Sequence, residues 1–81
     1  MKHAATKPIQ IHVNAEPRTA SRGATIADLL RDLDIRSDRV AVEINLEIVD
    51  RGDFDRRALQ EGDRIEVISF IGGGMRNGWV R

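Results

Sequence analysis

The chain contains no cysteine. Disulfides, thiolate nucleophiles and cysteine-held metals are thereby excluded together. Aromatic residues are scarce, with one Trp, two Phe and no Tyr, so little surface exists for stacking nucleic-acid bases. Net charge is absent too. Thirteen basic residues balance thirteen acidic ones, and no overall field recruits nucleic acid or an anionic membrane. Arg56-Arg57 is the only adjacent basic pair. No apolar run is long enough to cross a bilayer, and Met1 to Pro8 lack the apolar centre of a secretory signal. The expected location is the cytoplasm. His3 and His12 stand alone, without metal-ligand spacing, and neither a metal nor a cofactor is expected.

What remains is one small domain. At this length folding hides only about 60% of the unfolded chain's surface, which points function to a surface or a chain end rather than to an internal cavity. Residues 1–8 read as a flexible terminus. Ile9, Ile11 and Val13 alternate with Gln10 and His12, a half-buried strand. Asn14 to Pro17 read as a turn, and Arg18 to Ser21 as a short returning strand.

The helix signal is the firmest. Thr25 with Asp28 forms a near capping box. Ile26, Leu29, Leu30 and Leu33 then fall on one stripe, predicting a helix from Thr25 to Asp34. Val40, Val42 and Ile44 form a third strand, Asn45 turns the chain, and Glu47 to Val49 give a brief fourth. Asp50 to Arg57 read as an irregular connection anchored by Phe54 and Leu59. Gly62-Asp63 reads as a structural turn that sets the register of the last strand, Arg64 to Phe70. In that strand Ile65, Val67 and Ile71 are expected to face the helix. Ile26, Leu29, Leu30, Leu33, Val42, Ile65 and Val67 are the expected core. The pattern predicts an α+β fold: a mixed sheet of about five strands, the last strand central, with the helix across one face.

The last strand runs into Gly72-Gly73-Gly74. Glycine is costly to order and offers no packing, so three together fit an arm that threads a passage where any Cβ would collide. Ile68 and Phe70 are either covered by the N-terminal segment or form an apolar docking patch. Arg51 either meets a partner's carboxylate or takes part in a solvated or intramolecular ion pair. Trp79 either anchors a docked peptide or belongs to a disordered tail.

The element order is that of the β-grasp, or ubiquitin-like, fold. The segment Arg39 to Arg51, then Phe54, then L-Q-E-G-D-R-I-E-V-I (Leu59 to Ile68), then the glycines, resembles the ThiS family of sulfur carriers in thiamin biosynthesis. Ala41-Val42 and Asn45 fit that family's A-V-N-like strand loosely. Val49 and Arg51 fit its V-P-R-like corner, with Asp50 where Pro is usual. Gly62-Asp63 and Ile65-Glu66-Val67 fit its L-x-x-G-D-x-I/V-E-I/V segment well. The resemblance covers about Ile9 to Gly74.

It implies a carrier that is not itself an enzyme. A ThiF-like adenylating enzyme activates the carboxylate of the last glycine, Gly74, and a cysteine desulfurase relay supplies sulfur. The resulting thiocarboxylate delivers that sulfur to a ThiG-like thiazole synthase. Ile68, Phe70 and Arg51 become candidate partner contacts, Gly72 and Gly73 the arm, and residues 9–71 the folded unit.

One feature departs from the family pattern. Residues 75–81 follow Gly74 and lock its carbonyl in a peptide bond. They are an extension that a protease removes, residues foreign to the natural chain, or the mark of a homologue that is no carrier. The small subunit of molybdopterin synthase, MoaD-like, is an alternative; its F-F-P-P-V-like approach to the glycines is missing here. A ubiquitin-like modifier joined to its targets through Gly74 is another, and a binding module without chemistry is a third.

Overall fold

The structure is a computed structural model that describes residues 7–70 and 79–80, with side chains described for 7–69. The elements run β1 (Ile9–Val13), β2 (Glu16–Ala20), α1 (Ile26–Asp32), β3 (Val40–Ile44), β4 (Glu47–Val49), β5 (Arg64–Phe70) and β6 (Trp79–Val80). One mixed sheet has the order β2-β1-β5-β3-β4, and β6 adds to β5. The β1–β5 pair is parallel; every other pair is antiparallel. The last long strand is therefore central, as expected.

Both hairpins turn on two residues of positive φ, Asn14-Ala15 (50° and 73°) and Asn45-Leu46 (52° and 74°). That geometry matches the right-handed twist of the strands, and Asn tolerates it well. The first turn is thus shorter than the sequence pattern implies, and β2 begins at Glu16 rather than Arg18. Pro17 lies inside β2, opposite His12. His12 donates its N–H to Asp63 O at 2.9 Å, toward β5. The His12–Pro17 pair therefore exchanges no hydrogen bond, and Pro17 directs its missing donor to the open edge of the sheet. This is where a strand tolerates proline.

Helix α1 starts as predicted. Thr25 Oγ1 accepts from Asp28 N at 3.2 Å, and Asp28 Oδ2 accepts from Thr25 N at 3.0 Å, a complete capping box. The helix ends at Asp32, two residues earlier than expected. Leu33 caps it, and Asp34 takes the left-handed conformation at φ 61°. Ile26, Leu29, Leu30, Val42, Ile65 and Val67 are buried. Leu33 is only half-buried, because it lies where the helix is already ending and packs at the margin of the core. Ile71 lies outside the described residues.

The rest of the core comes from Ile9, Ile11, Val13, Val40, Ile44, Val49, Phe54 and Leu59. Phe54 and Leu59 anchor the long connection, which contains a single 3-10 turn at Arg51–Asp53. Gly62 sits at φ 85°, where an L side chain is strained, and its N–H reaches Gln10 O at 2.7 Å.

Candidate functional site

Strand β5 leads directly to the glycine segment, so the site is built from whatever holds β5. On one side β3 pairs along its length, from Val40↔Ser69 to Ile44↔Ile65. On the other side β1 reaches only as far as Val13↔Ile65 before it turns away. Asn14 extends that contact. Its backbone N donates to Ile65 O at 2.8 Å. Its side-chain Oδ1 accepts from Val67 N at 2.8 Å, and Nδ2 donates to Val67 O at 3.4 Å. One amide side chain thereby replaces the next residue of a strand.

A second polar cluster fixes where β5 begins. Asp63 is only 6% exposed. Its Oδ2 accepts from Gln60 N at 2.8 Å, and its Oδ1 accepts from Asn45 Nδ2 at 3.1 Å. Asn45 Oδ1 in turn accepts from Arg64 N at 3.0 Å. The Gly-Asp turn is structural, as expected, and it also ties the β3–β4 hairpin to the start of β5.

The sheet face away from α1 carries the surface chemistry. Ile68 stands there, half-buried, directly opposite Ala41 of β3. In the next row Glu66 faces Glu43, and Glu43 faces Ile48 of β4. Ile48 is 72% exposed and Leu46, at the hairpin tip, 90%. These two apolar residues were not singled out from the sequence. The signal was present in Ile48-Val49: adjacent strand residues point to opposite faces, so burial of Val49 sends Ile48 outward.

The other predicted residues divide. Arg51 is exposed and donates to two carbonyls, Nε to Ser37 O at 3.0 Å and Nη2 to Val40 O at 3.2 Å. Among the described residues these bonds are to backbone carbonyls, and no ion pair of Arg51 with an acid occurs there. Phe70 ends β5, but its side chain lies outside the described residues, as do Gly72, Gly73, Gly74 and residues 75–78. Trp79–Val80 form a strand instead of a disordered tail. His12 Nδ1 is buried without a hydrogen-bond partner among the described residues.

Elsewhere the surface is plain. A cleft of about 410 Å³ is lined by residues of β2, α1 and the segment between them, together with Leu59, and by none from β5. Asp28 is held below its ordinary pKa by the Thr25 backbone N–H and by Arg31. Asp38 is lowered by Arg36. No group of three or more His, Cys, Asp or Glu suited to a metal occurs among the described residues. No helix there is long and apolar enough to cross a membrane.

Comparison with known proteins fits this geometry. The model of the ThiS family matches residues 11–74. A thiazole synthase of Magnetococcus marinus is 47% identical over 66 residues, which are 82% of this chain but only 20% of that protein. A thiazole synthase of Paramagnetospirillum magneticum is covered to the same extent, so the chain spans a fifth of the length of each. The sulfur carrier protein ThiS of Escherichia coli is 35% identical over 66 residues, covering 82% of this chain and 100% of that protein. The crystal structure of the thiamine biosynthesis protein ThiS from Geobacter metallireducens superposes with a TM-score of 0.70 at 32% identity, covering 82% of this chain and all of that one. The chain belongs to the ThiS family.

Proposed function

We propose that this domain is a sulfur carrier of thiamin biosynthesis and that Gly74 is the carrying residue. The observation that supports this most is the extent of the family match: it runs through β5 and stops at Gly74, although the chain continues to Arg81. The organisation that follows is a folded unit at 9–71, a glycine arm at 72–74 and an extension at 75–81 that must be removed before the chemistry begins.

A free carboxylate is a poor electrophile. An adenylating enzyme of the ThiF type makes it a good one: a Gly74 carboxylate oxygen attacks the α-phosphorus of ATP and pyrophosphate leaves. A sulfur nucleophile, drawn from a cysteine desulfurase relay, then displaces AMP from the acyl carbon. That sulfur is a persulfide's, so an acyl disulfide forms; a second thiol opens it, taking the donor's sulfur into a new disulfide and leaving a terminal thiocarboxylate. Thiazole synthase consumes that sulfur. The similarity to thiazole synthases, in which the matching segment is one fifth of a longer chain, supports this partner: carrier and consumer on one chain meet at a raised effective concentration.

In this scheme the domain supplies a rigid strand and an arm, while its partners supply bases and charge stabilisation. Docking uses the sheet face of Ile68, with Phe70 beside the arm. Ile48 adds apolar area to the same face, and Arg51 contributes from its edge.

The experiment is ATP–pyrophosphate exchange with the cognate adenylating enzyme, comparing residues 1–81 with residues 1–74. The short form is expected to support exchange and the long form, kept intact, to be inert. Equal exchange by an uncleaved long form would refute the need for a free Gly74 carboxylate. Failure of both forms, with an enzyme active on another carrier, would refute the carrier function itself.

A further inference from the structure

The side of β5 that faces β1 is filled in series by three different devices. Backbone from β1 serves Asp63 and Ile65: His12 N donates to Asp63 O at 2.9 Å and Asn14 N to Ile65 O at 2.8 Å. The Asn14 side chain serves both backbone groups of Val67. Alternation of a strand sends the N–H and C=O of every second residue to the same side, so the next residue presented there is Ser69. Its partner is Val80 of β6, in the antiparallel register Ser69↔Val80 and Phe70↔Trp79. The same alternation makes Ser69 and Val80 the pair that exchanges two backbone hydrogen bonds. β3 flanks the other side of Ser69, where Val40 stands opposite it, so β6 lies on the β1 side. The family match ends before β6, so this strand is an addition to the common fold.

We infer that the β5 edge at Ser69 is a strand-addition site for an extended peptide running antiparallel to β5, and that Trp79–Val80 occupies it in cis. An unpaired strand edge recruits extended segments through its backbone. Asn14 satisfies Val67 with a side chain and adds no further strand, so it leaves one residue's worth of edge open just before the glycine segment. The ligand needs a two-residue extended stretch whose N–H and C=O meet Ser69. A short connection of residues 71–78 gives the cis strand an effective concentration on the order of millimolar. A partner's segment that adds to this edge must therefore compete with β6, whatever chemistry Gly74 undergoes.

The test uses the full chain and its Val80→Pro variant, which lacks the N–H that Ser69 O accepts. Amide hydrogen exchange is followed by NMR. Ser69 is expected to be protected in the unsubstituted chain and to exchange about tenfold faster or more in V80P, as loss of a backbone bond pair requires. Val67, held by Asn14, should change by less than about twofold in the same spectra. A synthetic peptide of residues 75–81, added to V80P at millimolar concentration, should restore protection of Ser69. A Val80→Thr chain keeps the N–H and should behave like the unsubstituted one. Equal, fast exchange of Ser69 in the unsubstituted chain and V80P would overturn the cis strand. Failure of the peptide to re-protect Ser69 in V80P, while Val67 stays protected, would overturn the edge as a site for added peptides.

Discussion

Asn14 offers the sharpest test of how the chain holds its output strand. Replacing Asn14 with Gly keeps the turn, because glycine accepts φ 50° without strain. It removes both side-chain bonds to Val67, the one at 2.8 Å and the longer one at 3.4 Å. A neutral hydrogen bond contributes about 0.5–1.5 kcal/mol net, and leaving its donor unsatisfied in a shielded place costs about 1–3 kcal/mol. The 3.4 Å contact adds little. The expected loss is therefore about 1–3 kcal/mol, which for a domain of this size lowers Tm by about 4–24 °C. Urea and thermal denaturation of the full chain measure it, and amide exchange locates it at Val67.

Two companion variants separate the causes. Asn14→Asp keeps an acceptor for Val67 N but loses the donor, so it should be milder than Asn14→Gly. Asn14→Ala loses the same bonds and also forces a Cβ into the left-handed region, which costs about 1–2 kcal/mol more. A Gly variant within about 0.3 kcal/mol of the unsubstituted chain, well under the value of one hydrogen bond, would refute the claim that this side chain acts as a strand residue.

Other outcomes follow from the core, the cap and the docking face. Leu30→Ala, at a site 1% exposed, should cost about 2–5 kcal/mol in denaturant unfolding; a loss below about 0.5 kcal/mol would show that the helix face is misassigned. The folded-state pKa of Asp28 is depressed, so its contribution to stability is present above the ordinary carboxyl value of 3.8 and is lost as pH falls through the lower folded value. Asp28→Asn should accordingly flatten the acid limb of a stability–pH curve, and an unchanged limb would mean that the capping box carries no linkage. On the docking proposed above, Ile48→Asp should leave the fold intact and weaken binding to a ThiF-type adenylating enzyme in a calorimetric titration; undiminished affinity would remove Ile48 from the proposed face.

Much of the architecture was legible because local signals agreed with the global fold. Thr25 and Asp28 mark the helix start, and the alternation of Val40, Val42 and Ile44 marks a strand with one buried face. The central place of β5 could be read from its apolar length. The start of β2 was hidden because Pro17 is a turn signal in isolation, and only the pairing of His12 with β5 reveals an edge position where proline does no harm. Leu33 fits the helical stripe, yet the left-handed Asp34 that ends the helix carries no strong sequence mark. Around the candidate site, the turn role of Gly62-Asp63 was readable. The bridge from Asn14 to Val67 spans 53 residues and has no local signature. Nor does the pairing of Trp79–Val80 with β5, since it depends on which edge of β5 the rest of the fold leaves open.

The central position of β5 also governs how the molecule comes into being. As the chain leaves the ribosome, β1–β2 and β3–β4 are each complete hairpins, yet in the finished sheet these two hairpins do not pair with each other; both pair with β5. An isolated hairpin is marginally stable at best in water. The nascent protein thus holds two separate half-sheets and one helix with no common floor until residues 64–70 emerge. Closing the parallel contact of β1 with β5 then joins residues about fifty positions apart, a loop-closure cost that falls late and slows folding. Folding of this domain therefore waits for the same strand that leads into the glycines.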